Sequence, residues 1–150
     1  MRAIIQRVSS ASVTIDGEVT GSIGVGYLIL LGVSKTDTDE EARRLWSKIS
    51  KLRLFSDEEG KTNLSLHDIG GSVLVVSQFT LYANCKKGNR PSFTDAGLPD
   101  EANRLYEAFL ALARTDLGDA CVAHGSFGAE MQVELVNNGP FTILLDTDTL

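Results

Sequence analysis

The stretch Val25-Gly26-Tyr27-Leu28-Ile29-Leu30-Leu31-Gly32-Val33 is followed, after a short polar break, by Asp37-Thr38-Asp39-Glu40-Glu41-Ala42-Arg43-Arg44-Leu45-Trp46-Ser47-Lys48-Ile49-Ser50-Lys51-Leu52. The hydrophobic period changes between the two halves. The first half is apolar almost without interruption, short, and flanked by glycine, which marks a strand buried on both faces. It is about half the length of a membrane-spanning helix. In the second half Ala42, Leu45, Trp46, Ile49 and Leu52 fall at helical spacing. Asp39, Glu40 and Glu41 stand in the first turn, where the positive end of the helix dipole favours them. A helix over about residues 38–52 follows, and a buried strand leading into an amphipathic helix implies a layered domain holding both kinds of element.

Outward from this pair, residues 2–8 and 11–15 are rich in β-branched side chains and read as strands. Asp16-Gly17 then turns the chain back through Glu18-Val19-Thr20, a strong hairpin signal. Asp57–Gly60 and Ile69–Gly71 read as turns. Residues 72–81 form a β-rich run that becomes a central strand leading into a loop, and residues 84–98 are loop-like. Pro99 suits the first turn of a second helix, whose core face would be Ala102, Leu105, Tyr106, Phe109, Leu112 and Ala113. Two last strands, Met131–Val136 and Phe141–Leu145, are separated by Asn137-Asn138-Gly139-Pro140. The expected fold class is α+β: a curved, mostly antiparallel, barrel-like sheet with two main helices. No repeat or linker divides residues 1–150, so one domain is expected.

The totals narrow the function. The 150 residues are 43% apolar and 23% charged, with a formal net charge of −6. A protein that grips long nucleic acid by its phosphates is normally basic, so any RNA contact has to come from a local basic patch and a pocket. Between Met1 and Gln6 stand only Arg2 and three apolar residues, too little for a signal peptide, and a cytoplasmic protein is expected. Two cysteines, Cys85 and Cys121, allow at most one disulfide, which a reducing cytosol disfavours. Cys121 and His124 supply two zinc ligands where a structural zinc needs four, so no metal is expected. Gly21, Gly24 and Gly26 lack the dinucleotide spacing. No cofactor is indicated.

Two strings carry a family resemblance: Ser77-Gln78-Phe79-Thr80-Leu81 and Asn137-Asn138-Gly139-Pro140-Phe141-Thr142. Together with the opening Met1–Val8 and the stretch Lys87–Phe93, they stand in the order found in D-aminoacyl-tRNA deacylases. The chain resembles that family along nearly its whole length. The resemblance implies hydrolysis of the ester joining a D-amino acid to the 3′ acceptor end of tRNA, with glycyl-tRNA also accepted, and a homodimer in which each Gly-Pro motif enters the partner's site. By frequency alone an X-Pro bond is trans, since about 5–6% are cis. The resemblance implies a cis Gly139–Pro140 bond, whose carbonyl oxygens bind the substrate ammonium and collide with the Cβ of an L-residue. Arg7 matches an arginine that fixes this loop.

By the same resemblance Ser77, Gln78, Phe79, Thr80 and Asn137 surround the terminal adenosine and the ester. Taken by alternation alone, Phe79 and Leu81 would instead pack in the core. Ester hydrolysis needs an activated nucleophile and a stabilised oxyanion. Thr80 and Thr142 are the candidate side-chain catalysts, but the only histidines, His67 and His124, lie outside both strings. The resemblance assigns activation of water to the ribose 2′-hydroxyl instead. Lys86, Lys87 and Arg90, in a Gly/Pro loop, are candidate contacts for RNA phosphates. A non-catalytic RNA-end or small-ligand binding module, and an editor of other mischarged tRNAs, remain rival readings.

Overall fold

The computed structural model describes residues Met1–Leu150. The chain runs β1 (Arg2–Ile15), β2 (Glu18–Ile23), β3 (Gly26–Gly32), α1 (Asp39–Ser50), β4 (Phe55–Ser56), β5 (Thr62–Leu64), α2 (Leu66–Ile69), β6 (Ser72–Ser77), α3 (Pro99–Leu117), β7 (Val122–His124) and β8 (Gln132–Asp146). A single-turn 3-10 helix, Phe79–Tyr82, follows β6.

The two N-terminal runs join into one 14-residue strand. One edge of β1 carries β8 along nearly its whole length, and the other carries β3 opposite residues 2–8 and β2 opposite residues 11–15, all antiparallel. Asp16 and Gly17 close the β1–β2 hairpin with positive φ at both positions, the geometry of the two-residue turn that Asp-Gly favours. β3 pairs in parallel with β6, and β6 in parallel with β7. The sheet is thus mixed, antiparallel on the β1 side and parallel beyond β3. β2 comes back against β7, where a Cβ on Gly21 would lie 2.7 Å from the His124 carbonyl oxygen, so the sheet almost closes on itself.

β3 is buried on both faces, as its unbroken apolar run implied. Tyr27, Ile29 and Leu31 belong to the larger core shared with the helices, while Leu28 joins Val8, Ala11, Val13, Leu74 and Val76 in a smaller core on the opposite face. α1 starts where the acidic turn placed it: the Thr38 hydroxyl accepts from the Glu40 N–H at 3.2 Å, and the Glu41 carboxylate accepts from the Thr38 N–H at 2.7 Å. Trp46 on α1 meets Phe109 on α3 edge-on, with ring centroids 5.6 Å apart. The core face of α3 includes Leu110, whereas Leu112 is only partly buried.

Two readings are sharpened and one changes. The short helix α2, capped by Ser65 and Asp68, ends in the expected Ile69–Gly71 turn, with Gly70 in the left-handed conformation. Within the β-rich run 72–81 the strand ends at Ser77, where the chain leaves the sheet as expected. The two expected C-terminal strands are one continuous strand, β8, and Asn137–Pro140 is a bulge within it, not a turn between strands. The pairing shows why: Gln6 faces Thr142 while Val8 faces Asn137, so β8 spends five residue steps where β1 spends two. The Gly139–Pro140 bond inside the bulge is cis.

Candidate active site

At the C-terminal end of β6 the Gln78 N–H still bonds to the Leu31 carbonyl at 2.7 Å, after which the chain leaves the sheet. Phe79 is therefore thrown outward and is 55% exposed, so it is not a core residue. It meets Phe93 edge-on, with centroids 5.0 Å apart. Phe93 sits on a loop strapped to the end of β3 by Lys35 N–H to Asp95 O (3.2 Å) and Gly97 N–H to Val33 O (2.8 Å). A third wall comes from Phe127, Gly128, Ala129, Met131 and Val133. Between the walls lies a mostly apolar cavity of about 700 Å³, with Ser77, Gln78 and Phe79 on its rim. This size suits a nucleoside or an amino acid.

Thr80 does not line the cavity, but its hydroxyl accepts a hydrogen bond from the Gln78 amide. The N–H groups of Phe79 and Thr80, at the start of the 3-10 turn, have no hydrogen-bond partner within the chain. They are free to donate to an oxygen at the cavity edge.

The bulge in β8 forms a second centre. Arg7 is 8% exposed. It donates from Nε to the Asn138 carbonyl (2.8 Å), from Nη1 to the Leu54 carbonyl (2.7 Å) and from Nη2 to the Gly139 carbonyl (3.1 Å). Its guanidinium also lies 4.4 Å from the centroid of the Phe141 ring. All its hydrogen-bonding partners are uncharged, and the rigid fork is what lets one side chain hold three carbonyls. At the base of the bulge the Asn137 amide is oriented to donate to the Arg7 and Phe141 carbonyls, at 3.2 and 3.3 Å. Thr142 accepts from the Gln6 amide at 3.4 Å. Asn137, Asn138, Gly139 and Pro140 are exposed.

The structure thus brings Ser77, Gln78 and Phe79 together around the cavity, with Thr80 beside them. It does not bring Asn137, Gly139, Pro140 or Thr142 to the wall of the same chain's cavity. Lys86, Lys87 and Arg90 are exposed, unpaired, and carried on a loop pinned at its base by the mutual Asn84–Ser92 hydrogen bonds. Sequence reasoning missed the Phe127–Val133 wall; its only local signal is an aromatic residue followed by glycine.

Neither histidine reaches a hydroxyl: His67 Nε2 lies 3.2 Å from Asp116, and His124 Nδ1 lies 2.6 Å from the Gly125 carbonyl. Tyr106 donates to the Val75 carbonyl at 2.9 Å, and burial pushes its pKa well above the ordinary phenol value. It remains a neutral donor. Both cysteines are free thiols, and no group of three or more His, Cys, Asp or Glu side chains gathers to hold a metal.

The model of the D-Tyr-tRNA(Tyr) deacylase family matches residues 4–146. The chain belongs to this family. Among its relatives, a D-aminoacyl-tRNA deacylase of Chloroflexus aurantiacus is 58% identical over 150 residues, covering 100% of this chain and 92% of the relative. One from Roseiflexus castenholzii is 60% identical over 147 residues, covering 98% and 92%. Among solved structures, the c-Myc DNA unwinding element binding protein superimposes with a TM-score of 0.92 at 43% identity, covering 97% of this chain and 98% of that one. A structure described as a "probable eukaryotic D-amino acid tRNA deacylase" superimposes with a TM-score of 0.81 at 20% identity over 96% of this chain and 97% of that one, a likeness of fold alone. The deacylase family therefore spans both centres, the cavity after β6 and the bulge in β8.

Proposed function

We propose that this protein hydrolyses the ester bond of D-aminoacyl-tRNA in the cytoplasm, releasing a free D-amino acid and tRNA, and that it acts as a homodimer. Family membership over residues 4–146 is the observation that carries this reading. The terminal adenosine of the acceptor end occupies the apolar cavity, with Phe79 against the base and Ser77 and Gln78 at the ribose. The Gly139–Pro140 bulge enters the partner's cavity. This arrangement is supported by the exposure of the bulge and its absence from its own chain's cavity wall.

Chirality is read by the bulge carbonyls. The substrate ammonium donates to them, a D side chain points away, and an L side chain drives its Cβ into them; glycine, having no Cβ, passes. Such selection acts by excluding the wrong substrate. Arg7 is the positioning residue, because it holds the Asn138 and Gly139 carbonyls in place.

The hydroxyls of Thr80 and Thr142 are bonded to amides, which cannot act as general bases. A protein nucleophile therefore lacks its activating partner. The ribose 2′-hydroxyl assists the attacking water, and the free N–H groups of Phe79 and Thr80 receive the developing oxyanion. One such donor is typically worth about 3–4 kcal/mol of barrier. Aminoacyl esters are intrinsically reactive, so orientation supplies much of the remainder. Replacing Thr80 or Thr142 by Ala should reduce the rate only in part; total loss with binding retained would restore the nucleophile model.

The deciding experiment is deacylation of matched D- and L-tyrosyl-tRNA and of glycyl-tRNA by the purified protein, with EDTA present. Hydrolysis of the D and glycyl substrates alone is expected. Release of the L form would refute the chiral filter, and no release from any substrate would refute the hydrolase and favour the binding module.

A further inference from the structure

A second cleft, of about 680 Å³, lies along the exposed side of α1 and the segment that follows it. Its walls carry Arg43, Arg44, Lys48, Lys51 and Arg53, and the only carboxylate side chain lining it is Glu40. Five of the chain's 14 Lys and Arg residues thus gather in one place on a molecule of net charge −6. All five are exposed. Arg43 is paired with Glu40 at 3.1 Å, and Arg44 donates to the Thr147 and Leu150 carbonyls at 3.3 and 3.1 Å. Lys48, Lys51 and Arg53 form no ion pair; Lys51 donates to the Ser47 hydroxyl at 3.2 Å, and Asp68, whose pKa is lowered chiefly by hydrogen bonds from Ser65, feels Arg53 only as the least of its causes. Lys48 in the last turn of α1 and Lys51 at its C-cap favour the helix dipole, but the core needs none of these three charges.

Their position is tied to the bulge. Arg7 donates from one nitrogen to the carbonyl of Leu54, next in sequence to Arg53, and from two others to the carbonyls of Asn138 and Gly139. One buried side chain therefore clamps the end of the basic segment to the Gly139–Pro140 bulge.

We infer that this cleft is a phosphate-binding surface for the acceptor arm of the tRNA substrate, with Lys48, Lys51 and Arg53 as its principal contacts. The inference rests on the reading that the bulge meets the aminoacyl group. When the bulge of one protomer contacts the aminoacyl end, the cations beside it face the sugar-phosphate chain leading away from that end. An acidic protein binds RNA through such a local concentration of cations, and its contribution is sequence-independent and salt-sensitive. The cleft thus complements Lys86, Lys87 and Arg90, which are placed on the loop that leads to Phe93.

The test compares the full-length protein with the Lys48→Gln, Lys51→Gln, Arg53→Gln triple variant, folding being checked by thermal denaturation. Binding of uncharged tRNA is measured by fluorescence anisotropy across a salt series. Turnover is measured on D-tyrosyl-tRNA and on the D-tyrosyl ester of adenosine alone. The variant should bind tRNA roughly tenfold or more weakly at low salt, and its log–log salt slope should be shallower by about 2 to 3. KM for D-tyrosyl-tRNA should rise with kcat retained, while turnover of the adenosine ester stays unchanged. Unaltered tRNA affinity and salt slope would overturn the inference, as would equal losses on tRNA and on the adenosine ester. If the variant loses tRNA affinity and salt slope as stated but the parent hydrolyses neither ester, the hydrolase reading fails and the surface stands.

Discussion

Arg7 and Gly139 share one bulge but separate fold from function. Arg7 is almost fully buried, and its three carbonyl partners would be left without a donor if it were shortened. The buried Leu54 carbonyl left unsatisfied costs about 1–3 kcal/mol, and the packing lost around the guanidinium adds to it, whereas the exposed Asn138 and Gly139 carbonyls can turn to water. We therefore expect Arg7→Ala to lose about 2–4 kcal/mol of stability. Arg7→Lys should not rescue it, because a single ammonium on a flexible stem cannot reproduce the three-way fork or the contact with Phe141. Chemical denaturation reads the first effect, and D-tyrosyl-tRNA turnover reads the second; full activity in Arg7→Lys would remove the positioning role. Gly139 behaves in the opposite way. A Cβ there would meet only the Asn137 side-chain amide, at an ordinary 3.5 Å, and φ is not in the left-handed region. Within its own chain nothing requires glycine. Gly139→Ala should accordingly keep the parent stability to within about 0.5 kcal/mol, yet lose D-tyrosyl-tRNA hydrolysis, because the added methyl group would intrude where the substrate is proposed to sit. Undiminished turnover would show that the bulge does not face the substrate.

At the level of elements, legibility followed the chemistry of local signals. The Asp16-Gly17 hairpin, the doubly buried β3 and the capped α1 were all readable because periodicity and turn residues act over a few positions. The continuity of β8 was not. Asn137-Asn138-Gly139-Pro140 has the composition of a turn, and only pairing with β1 on both sides of it reveals a bulge in one strand. Phe79 was ambiguous for a similar reason: alternation cannot tell where a strand leaves its sheet. The partly parallel sheet and the Phe127–Val133 cavity wall depend on contacts between distant segments and left no local trace. Gly26 looked like a strand flank, but it marks the closest approach of β3 to β6. A Cβ there would lie 1.7 Å from the Ser72 carbonyl oxygen, at the first pair of the parallel ladder. Gly26→Ala should cost about 3 kcal/mol or more, a fall of roughly 6–12 °C in Tm for a domain of this size. Gly24→Ala, two residues away, meets nothing within 4 Å and serves as the control. Equal melting of the two variants would contradict the close approach.

At the scale of the whole molecule, one chain offers two incomplete half-sites: a cavity with the Ser77–Phe79 rim and, elsewhere, a rigidly held bulge. The proposed two-fold homodimer would complete both at once, because the same pair of surfaces would be exchanged in each direction. Complementation distinguishes this from a site completed within one chain. Ala129→Trp fills the cavity from its wall, and Gly139→Ala spoils the bulge; each variant alone should be inactive on D-tyrosyl-tRNA. In a mixed dimer the intact cavity belongs to the Gly139→Ala protomer and the intact bulge to the Ala129→Trp protomer. If the bulge crosses the interface, these two intact halves meet and one of the two sites is whole. Random exchange between equal amounts then restores about a quarter of the parent activity, since half the dimers are mixed and each has one working site. If each bulge serves its own chain, every site contains one damaged half and mixing restores nothing. Unfolding, mixing in equal amounts, refolding and assaying D-tyrosyl-tRNA hydrolysis therefore decide the architecture by activity alone, with refolded single variants as the baseline.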